Sequence, residues 1–240
     1  MSGETVVYVH GLWATAAESL WFRRRLSREF RLETYRYASV ASSMAEVTDG
    51  LASFVAALAP QTLHLVGHSL GGLVIQRFLE RHPDPPWGRV VFLGVPAAGS
   101  VLARTVARLR WGGAVLGRCV AEELLVERER RWSVPRPLGI IAGTRPLGLV
   151  PLIARIVQPR GAADVASVPG SAGLEADASD GTVAVSETHL PGATDHITVR
   201  ASHLGLLLSQ RVAYETSLFL REGHFALSRP FPGANRARSS

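Results

Sequence analysis

A chain of 240 residues that is 47% hydrophobic and 19% charged has the length and apolar content for one sizeable core, which excludes a disordered or fibrous protein. The formal net charge is +6 and all 26 basic residues are arginine, a bias that genome base composition explains as readily as function. The clusters Arg23–Arg25 and Arg128–Arg131 read as solvated helix faces, with an anionic lipid surface or an acidic partner as the sharper alternative; no nucleic-acid motif is present.

In chain order, strands are predicted at Val6–Val9, Leu32–Tyr37, Leu63–Gly67, Val90–Leu93, Leu138–Ala142 and Ile197–Arg200. They are short and apolar, as parallel strands covered on both faces are. Helical patterns lie between them. Ser43 and Glu46 form a capping box ahead of Val47–Leu58, and Pro60 stops that helix. A second helix runs from Leu70 to Glu80, and Gly205–Leu220 reads as the last one. Alternating strands and helices imply an α/β fold with a parallel sheet. Residues 100–135 look helical, with Val115, Leu116, Cys119, Val120, Leu124 and Leu125 on one face; they read as a lid or as ordinary surface helices. Residues 145–179 are rich in Gly, Pro, Ala and Ser, a loop of a length that is usually functional or mobile. One domain is expected over 1–223, with a frayed tail over 224–240. Cys119, the single cysteine, reads as a buried thiol. No basic and then apolar leader precedes the first strand, and no apolar run approaches the ~20 residues of a membrane span, so a cytoplasmic location is expected.

Between the third strand and the second helix lies Gly67-His68-Ser69-Leu70-Gly71-Gly72. A serine on so tight a strand-to-helix turn is pushed out of the backbone, while Gly67 and Gly71 allow neighbouring backbone to pass close by. A hydroxyl is a poor nucleophile at neutral pH. It needs a base, an acid to orient the base, and N–H donors for the oxyanion. Among eight histidines, His203 follows a strand and precedes an apolar helix, the place where a parallel sheet presents ligand-facing groups. His189 and His196 remain as candidates, His64 reads as core, and the His68 side chain is expected to point away from that of Ser69. For the acid, Asp180 precedes a turn into a β-branched run, with Asp177 next and Asp164, Glu175, Glu187 and Asp195 further candidates. His10-Gly11-Leu12 ends the first strand; the N–H groups of Leu12 and Leu70 suit an oxyanion hole, and His10 shapes the loop. Trp13, Leu12, Leu102 and Leu149 are candidate acyl-pocket residues, each also readable as core.

These four segments resemble the α/β-hydrolase superfamily, and within it the compact bacterial lipases and esterases. Val9-His10-Gly11-Leu12 is similar to the oxyanion strand, Gly67–Gly72 to the nucleophile elbow, Ser179-Asp180-Gly181-Thr182-Val183 to the acid turn and Ser202-His203-Leu204-Gly205 to the histidine loop. The resemblance spans residues 5–220 and implies Ser69, Asp180 and His203 as a triad. The first strand already carries the oxyanion turn, which implies a reduced sheet of about six strands with helices on both faces. The activity implied is hydrolysis of small-molecule or lipid carboxylic esters, without metal or organic cofactor. Thioester cleavage, amide cleavage and lipid deacylation use the same groups, and a hydrolase-like scaffold that binds a hydrophobic ligand is the non-enzymatic alternative.

Overall fold

The computed structural model describes residues 3–82, 84–110, 112–126, 130–147 and 178–228. Six apolar runs build the sheet: β1 (Glu4–Val9), β2 (Arg31–Tyr35), β3 (Thr62–His68), β4 (Val90–Leu93), β5 (Leu138–Gly143) and β6 (Asp195–Val199). Their order is β2-β1-β3-β4-β5-β6, and every neighbouring pair is parallel. The helices are α1 (Leu20–Leu26), α2 (Met44–Leu58), α3 (Leu70–Arg81), α4 (Val101–Ala107), α5 (Gly112–Leu124), α6 (Val185–Thr188) and α7 (Gln210–Glu222).

The strand order explains where a site can form. The β1–α1–β2 connection steps one way, and β2–α2–β3 steps back past β1. Right-handed crossovers in opposite directions place their helices on opposite faces. Accordingly Phe22 and Leu26 of α1 pack with Val6 and Tyr8, together with Val212 and Phe219 of α7. Val47 and Leu51 of α2 pack with Val7 and Val9 on the other face, with Leu73 of α3 and Val120 of α5. Residues alternating along β1 thus feed two separate cores. Where the order reverses, between β1 and β3, the following loops diverge and leave a crevice above the carboxyl ends of the strands.

Several boundaries differ from the sequence expectation. The predicted last helix is broken: Gly205–Leu208 is a 3₁₀ turn, and Ser209 adopts an extended backbone and caps α7 by accepting from the Val212 N–H. The second strand stops at Tyr35, and Tyr37 leaves the sheet. The segment after Gly223 is not frayed at once. Phe225 is fully buried against Phe219, and its N–H donates to Asp195. Residues 229–240, and 148–177 of the predicted loop, lie outside the described residues. The Arg23–Arg25 cluster is no free basic face, because Arg23 donates to Ser19, Thr34 and the Ala16 carbonyl, and Arg25 covers the Trp21 ring. Among the described residues no helix is long and apolar enough to cross a membrane.

The expected helical stretch 100–135 is helical only in α4 and α5; residues 130–135 are not helical, so Arg130 and Arg131 do not lie on a helix face as read. Ser100 caps α4, while the Glu187 carboxylate accepts the Val101 N–H at 2.5 Å. At Gly117 (φ 74°) α5 breaks, and there a Cβ would lie 2.5 Å from the Val40 carbonyl. The next turn holds to the loop ahead of α2: the Arg118 N–H donates to Val40, Cys119 Sγ to the Ser42 carbonyl at 3.1 Å, and Glu122 accepts the Met44 N–H. Burial pushes the Cys119 thiol up to about 11, so the single thiol is inert rather than nucleophilic.

The α2 helix carries the predicted reciprocal cap, with Glu46 N–H to Ser43 Oγ and Ser43 N–H to Glu46 Oε2. Its other end is imperfect. Ala59 closes it at φ 44°, a left-handed conformation that costs a residue with a Cβ about 1 kcal/mol. Ala59→Gly is expected to raise the unfolding free energy by about 0.5–1 kcal/mol in urea titration.

Candidate active site

The segment Gly67–Gly72 forms a sharp elbow. β3 ends at His68, α3 begins at Leu70, and Ser69 between them is held at φ 53°, ψ −126°. That strain persists because the surroundings leave no alternative. A Cβ on Gly67 would lie 2.5 Å from Gly72 Cα, one on Gly71 2.2 Å from the Val9 carbonyl, and one on Gly72 2.3 Å from Val95. The elbow therefore presses against both β1 and the loop after β4. The Ser69 N–H donates to the Leu93 carbonyl, which leaves its side chain facing outward without a capping bond. Leu70 is the first residue of α3, and its N–H has no carbonyl one turn back to bond.

Asp180 and His203 meet. His203 Nδ1 donates to Asp180 Oδ2 at 2.7 Å, and the His203 backbone N–H donates to the Asp180 carbonyl at 3.0 Å. The other carboxylate oxygen accepts the N–H groups of Thr182 and Val183. Asp180 is fully buried; its turn fixes one oxygen and His203 engages the other. With the Nδ1 proton committed to Asp180, the neutral ring keeps its lone pair on Nε2. His203 and Ser69 line one cavity, although no hydrogen bond joins the Ser69 hydroxyl to the ring among the described residues. In an unliganded site such bonds are often longer than in the reacting complex.

Two glycines that sequence reasoning missed make this contact fit. Gly94, at φ 56° after β4, lies beneath the pair: a Cβ there would be 3.0 Å from Asp180 Oδ2 and 3.1 Å from His203 Nδ1. A Cβ on Gly143, the last residue of β5, would be 2.7 Å from Asp180 Cβ. Their signal was a glycine directly closing an apolar strand, in Val91-Phe92-Leu93-Gly94 and Ile140-Ile141-Ala142-Gly143.

The other histidines sort by partner. The His68 ring lies 4.7 Å from that of His203, and its Nε2 donates to the His203 carbonyl at 3.1 Å. Burial first, then the neighbouring His203, push His68 down to about 3, so it is a neutral donor. His10 is buried beneath the β1 turn; Nδ1 donates to the Gly11 carbonyl and Nε2 accepts the Tyr37 N–H. Tyr37, also missed from sequence, stacks on His10 at 4.5 Å and donates its hydroxyl to the His10 carbonyl. Gly11 lies against the elbow, where a Cβ would be 3.0 Å from Ser69 Cβ. His64 is core, as read, and accepts the Arg89 N–H. His189 and His196 stack on each other, and His196 is tied to Thr188. Of the other acid candidates, Asp195 holds the Phe225 N–H and Glu187 holds α4; Asp164, Glu175 and Asp177 lie outside the described residues.

The cavity beside Ser69 has a volume of about 630 Å³. Of the candidate pocket residues, Leu12, Trp13 and Leu102 line it, whereas Leu149 lies outside the described residues. Ala103 and Val106 of α4 and Leu116, Val120 and Leu124 of α5 also contribute to its apolar wall. That helix face was legible, but its pattern does not distinguish packing from lining a cavity.

Comparison with solved structures agrees with this architecture. The Bacillus licheniformis lipase BlEst2 in mature form superposes with a TM-score of 0.66 at 17% identity over 91% of each chain. The chain has the α/β-hydrolase fold. The Bacillus subtilis carboxylesterase CesB matches with a TM-score of 0.54 at 16% identity, covering 92% of this chain and 85% of its own. The thioesterase RedJ of the Streptomyces coelicolor prodiginine pathway matches at 0.57 and 12% identity, over 90% and 85%. No protein-family model and no curated protein sequence matches this chain.

Acid lability follows from the buried rings. His68 sits at about 3, and His64 and His196 at about 4, each mainly through burial, against an ordinary value of 6.5. Between those values and 6.5 the unfolded chain binds more protons than the folded one. Stability is therefore fully present above about 6.5 and falls as the pH drops toward 4. Urea unfolding at pH 7, 5.5 and 4 is expected to give steadily lower midpoints; a flat series excludes the neutral buried rings.

Proposed function

We propose that this protein is a serine hydrolase of carboxylic esters with an apolar acyl group. The observation that carries the reading is the Asp180–His203 hydrogen bond at the wall of the cavity that also receives the strained Ser69. A binding scaffold has no use for a buried acid that orients an imidazole toward a serine on a strained turn.

In this mechanism His203 Nε2 takes the Ser69 proton as the oxygen attacks the ester carbonyl. The N–H groups of Leu12 and Leu70 hold the oxyanion, the latter at the positive end of α3. His203 then protonates the departing alcohol and leaves an acyl group on Ser69. Water, deprotonated by His203, attacks the acyl-enzyme; the acid leaves and Ser69 regains its proton. Asp180 holds the tautomer and stabilises the imidazolium formed in both steps. His10, Gly11, Gly67, His68 and Gly71 act on position alone: they set the oxyanion loop, the elbow and the histidine loop.

Neighbouring folds include proteins described as a lipase, a carboxylesterase, a phospholipase and a thioesterase. The apolar wall formed by α4 and α5 favours an acyl chain over a polar one. Each CH₂ buried there is worth ~0.8 kcal/mol, so kcat/KM on p-nitrophenyl esters is expected to rise about fourfold per added CH₂ until the cavity is full. Ser69→Ala is expected to abolish hydrolysis and labelling by a fluorophosphonate probe. Asp180→Asn should lower kcat by about 10³–10⁴-fold with the fold retained. Turnover by folded Ser69→Ala, or a wild type that the probe does not label, overturns the reading.

A further inference from the structure

We propose that the carboxyl edge of the sheet, around the cavity mouth, docks onto the surface of an anionic lipid bilayer. All six strands run parallel, so every loop that follows a strand emerges at this one edge. Trp13, Leu147 and Leu204 line the cavity and are nevertheless 49%, 55% and 60% exposed, which places them at its rim. Leu208, one 3₁₀ turn beyond Leu204, is also exposed, while Leu206 and Leu207 between them are fully buried. That turn thus sends two leucines into the core and two into solvent. Scattered exposed leucines need no explanation, but an apolar rim with a tryptophan in it does. An indole at an exposed position suits the boundary between water and lipid.

Charge selects the occupant. Arg36 follows β2, Arg145 follows β5 and Arg200 follows β6. All three are exposed, and among the described residues none has an ion-pair partner. β2 and β6 are the outer strands, so cations flank the apolar rim across a sheet about 24 Å wide at the ~4.8 Å strand spacing. The arginines at the amino edge are engaged instead: Arg31 pairs with Glu33, Arg89 donates to the Leu220 carbonyl and Arg136 to that of Pro86. Of the acidic groups near the carboxyl edge, Glu18 lines the cavity with one carboxylate oxygen buried, and three others are engaged. Asp180 holds His203, Glu187 holds Val101, and Glu46 pairs with Arg118. An apolar centre flanked by unpaired guanidinium groups matches acyl chains beneath anionic headgroups.

The test is flotation of the full chain with vesicles of phosphatidylcholine alone or of equimolar phosphatidylcholine and phosphatidylserine. Binding to the anionic vesicles at low salt and release at high salt are expected, with little binding to the neutral ones. The R36Q/R145Q/R200Q variant should bind anionic vesicles about a hundredfold more weakly. R24Q/R28Q/R31Q removes the same charge from α1 and the amino edge and should bind as wild type does. W13S/L204S should weaken binding at all salt concentrations, its fold checked by circular dichroism. Ser69→Ala should bind undiminished, so the outcome is separate from that of the ester-hydrolase reading. Equal binding to neutral vesicles, no binding by the folded wild type, or equal losses in the two arginine triples overturns the proposal.

Discussion

The molecule depends on a contact made possible by missing side chains. Gly67, Gly71 and Gly72 let the start of α3 lie directly against the end of β1 and the loop after β4, at separations where any Cβ would collide with backbone or with Val95. The approach forces Ser69 into a conformation that a serine does not choose by itself. It also brings the turn after β1, the elbow and the loop beneath Asp180 to one crevice. Two cores pack the sheet from either side, and together they hold the strained turn in place.

Three imidazoles meet around that crevice, each with its proton placed by a different acceptor. His10 gives Nδ1–H to the carbonyl of Gly11, and His68 gives Nε2–H to the carbonyl of His203. Both are pushed below the ordinary histidine value, mainly by burial. His203 is the one whose Nδ1 faces a carboxylate rather than a carbonyl. Three rings of the same chemistry therefore meet different acceptors: two carbonyls and one carboxylate.

Much of this was legible before any coordinates. The elbow, the Asp180 turn and the His203 loop each combine a polar residue with a strand end and a small neighbour, and such local patterns survive folding. Six strands were found with boundaries off by at most two residues. What escaped was of another kind. Gly94 and Gly143 matter because of what crosses above them, and Tyr37 because its chain leaves the sheet to reach His10. The bond from His68 to the His203 carbonyl escaped because alternation along β3 says nothing of the loop that arrives from residue 203. The split of the last helix at Ser209 was missed because an apolar run from Gly205 to Leu208 has no helical break in its composition. These are non-local contacts, and one-dimensional periodicity does not encode them.

Glu187 links regions that are far apart in the chain. One of its carboxylate oxygens accepts the Ala184 N–H, just past the Asp180 turn, the other takes the first N–H of α4, and its own carbonyl accepts the Ala98 N–H. The roof of the cavity and the turn that aims His203 thus share a single anchor. Displacing α4 to admit a bulkier occupant would tug on the acid turn as well. In mechanical terms the gauge that sizes the cavity and the pin of the Asp180 turn are one part, and a change made to widen the first is transmitted to the second.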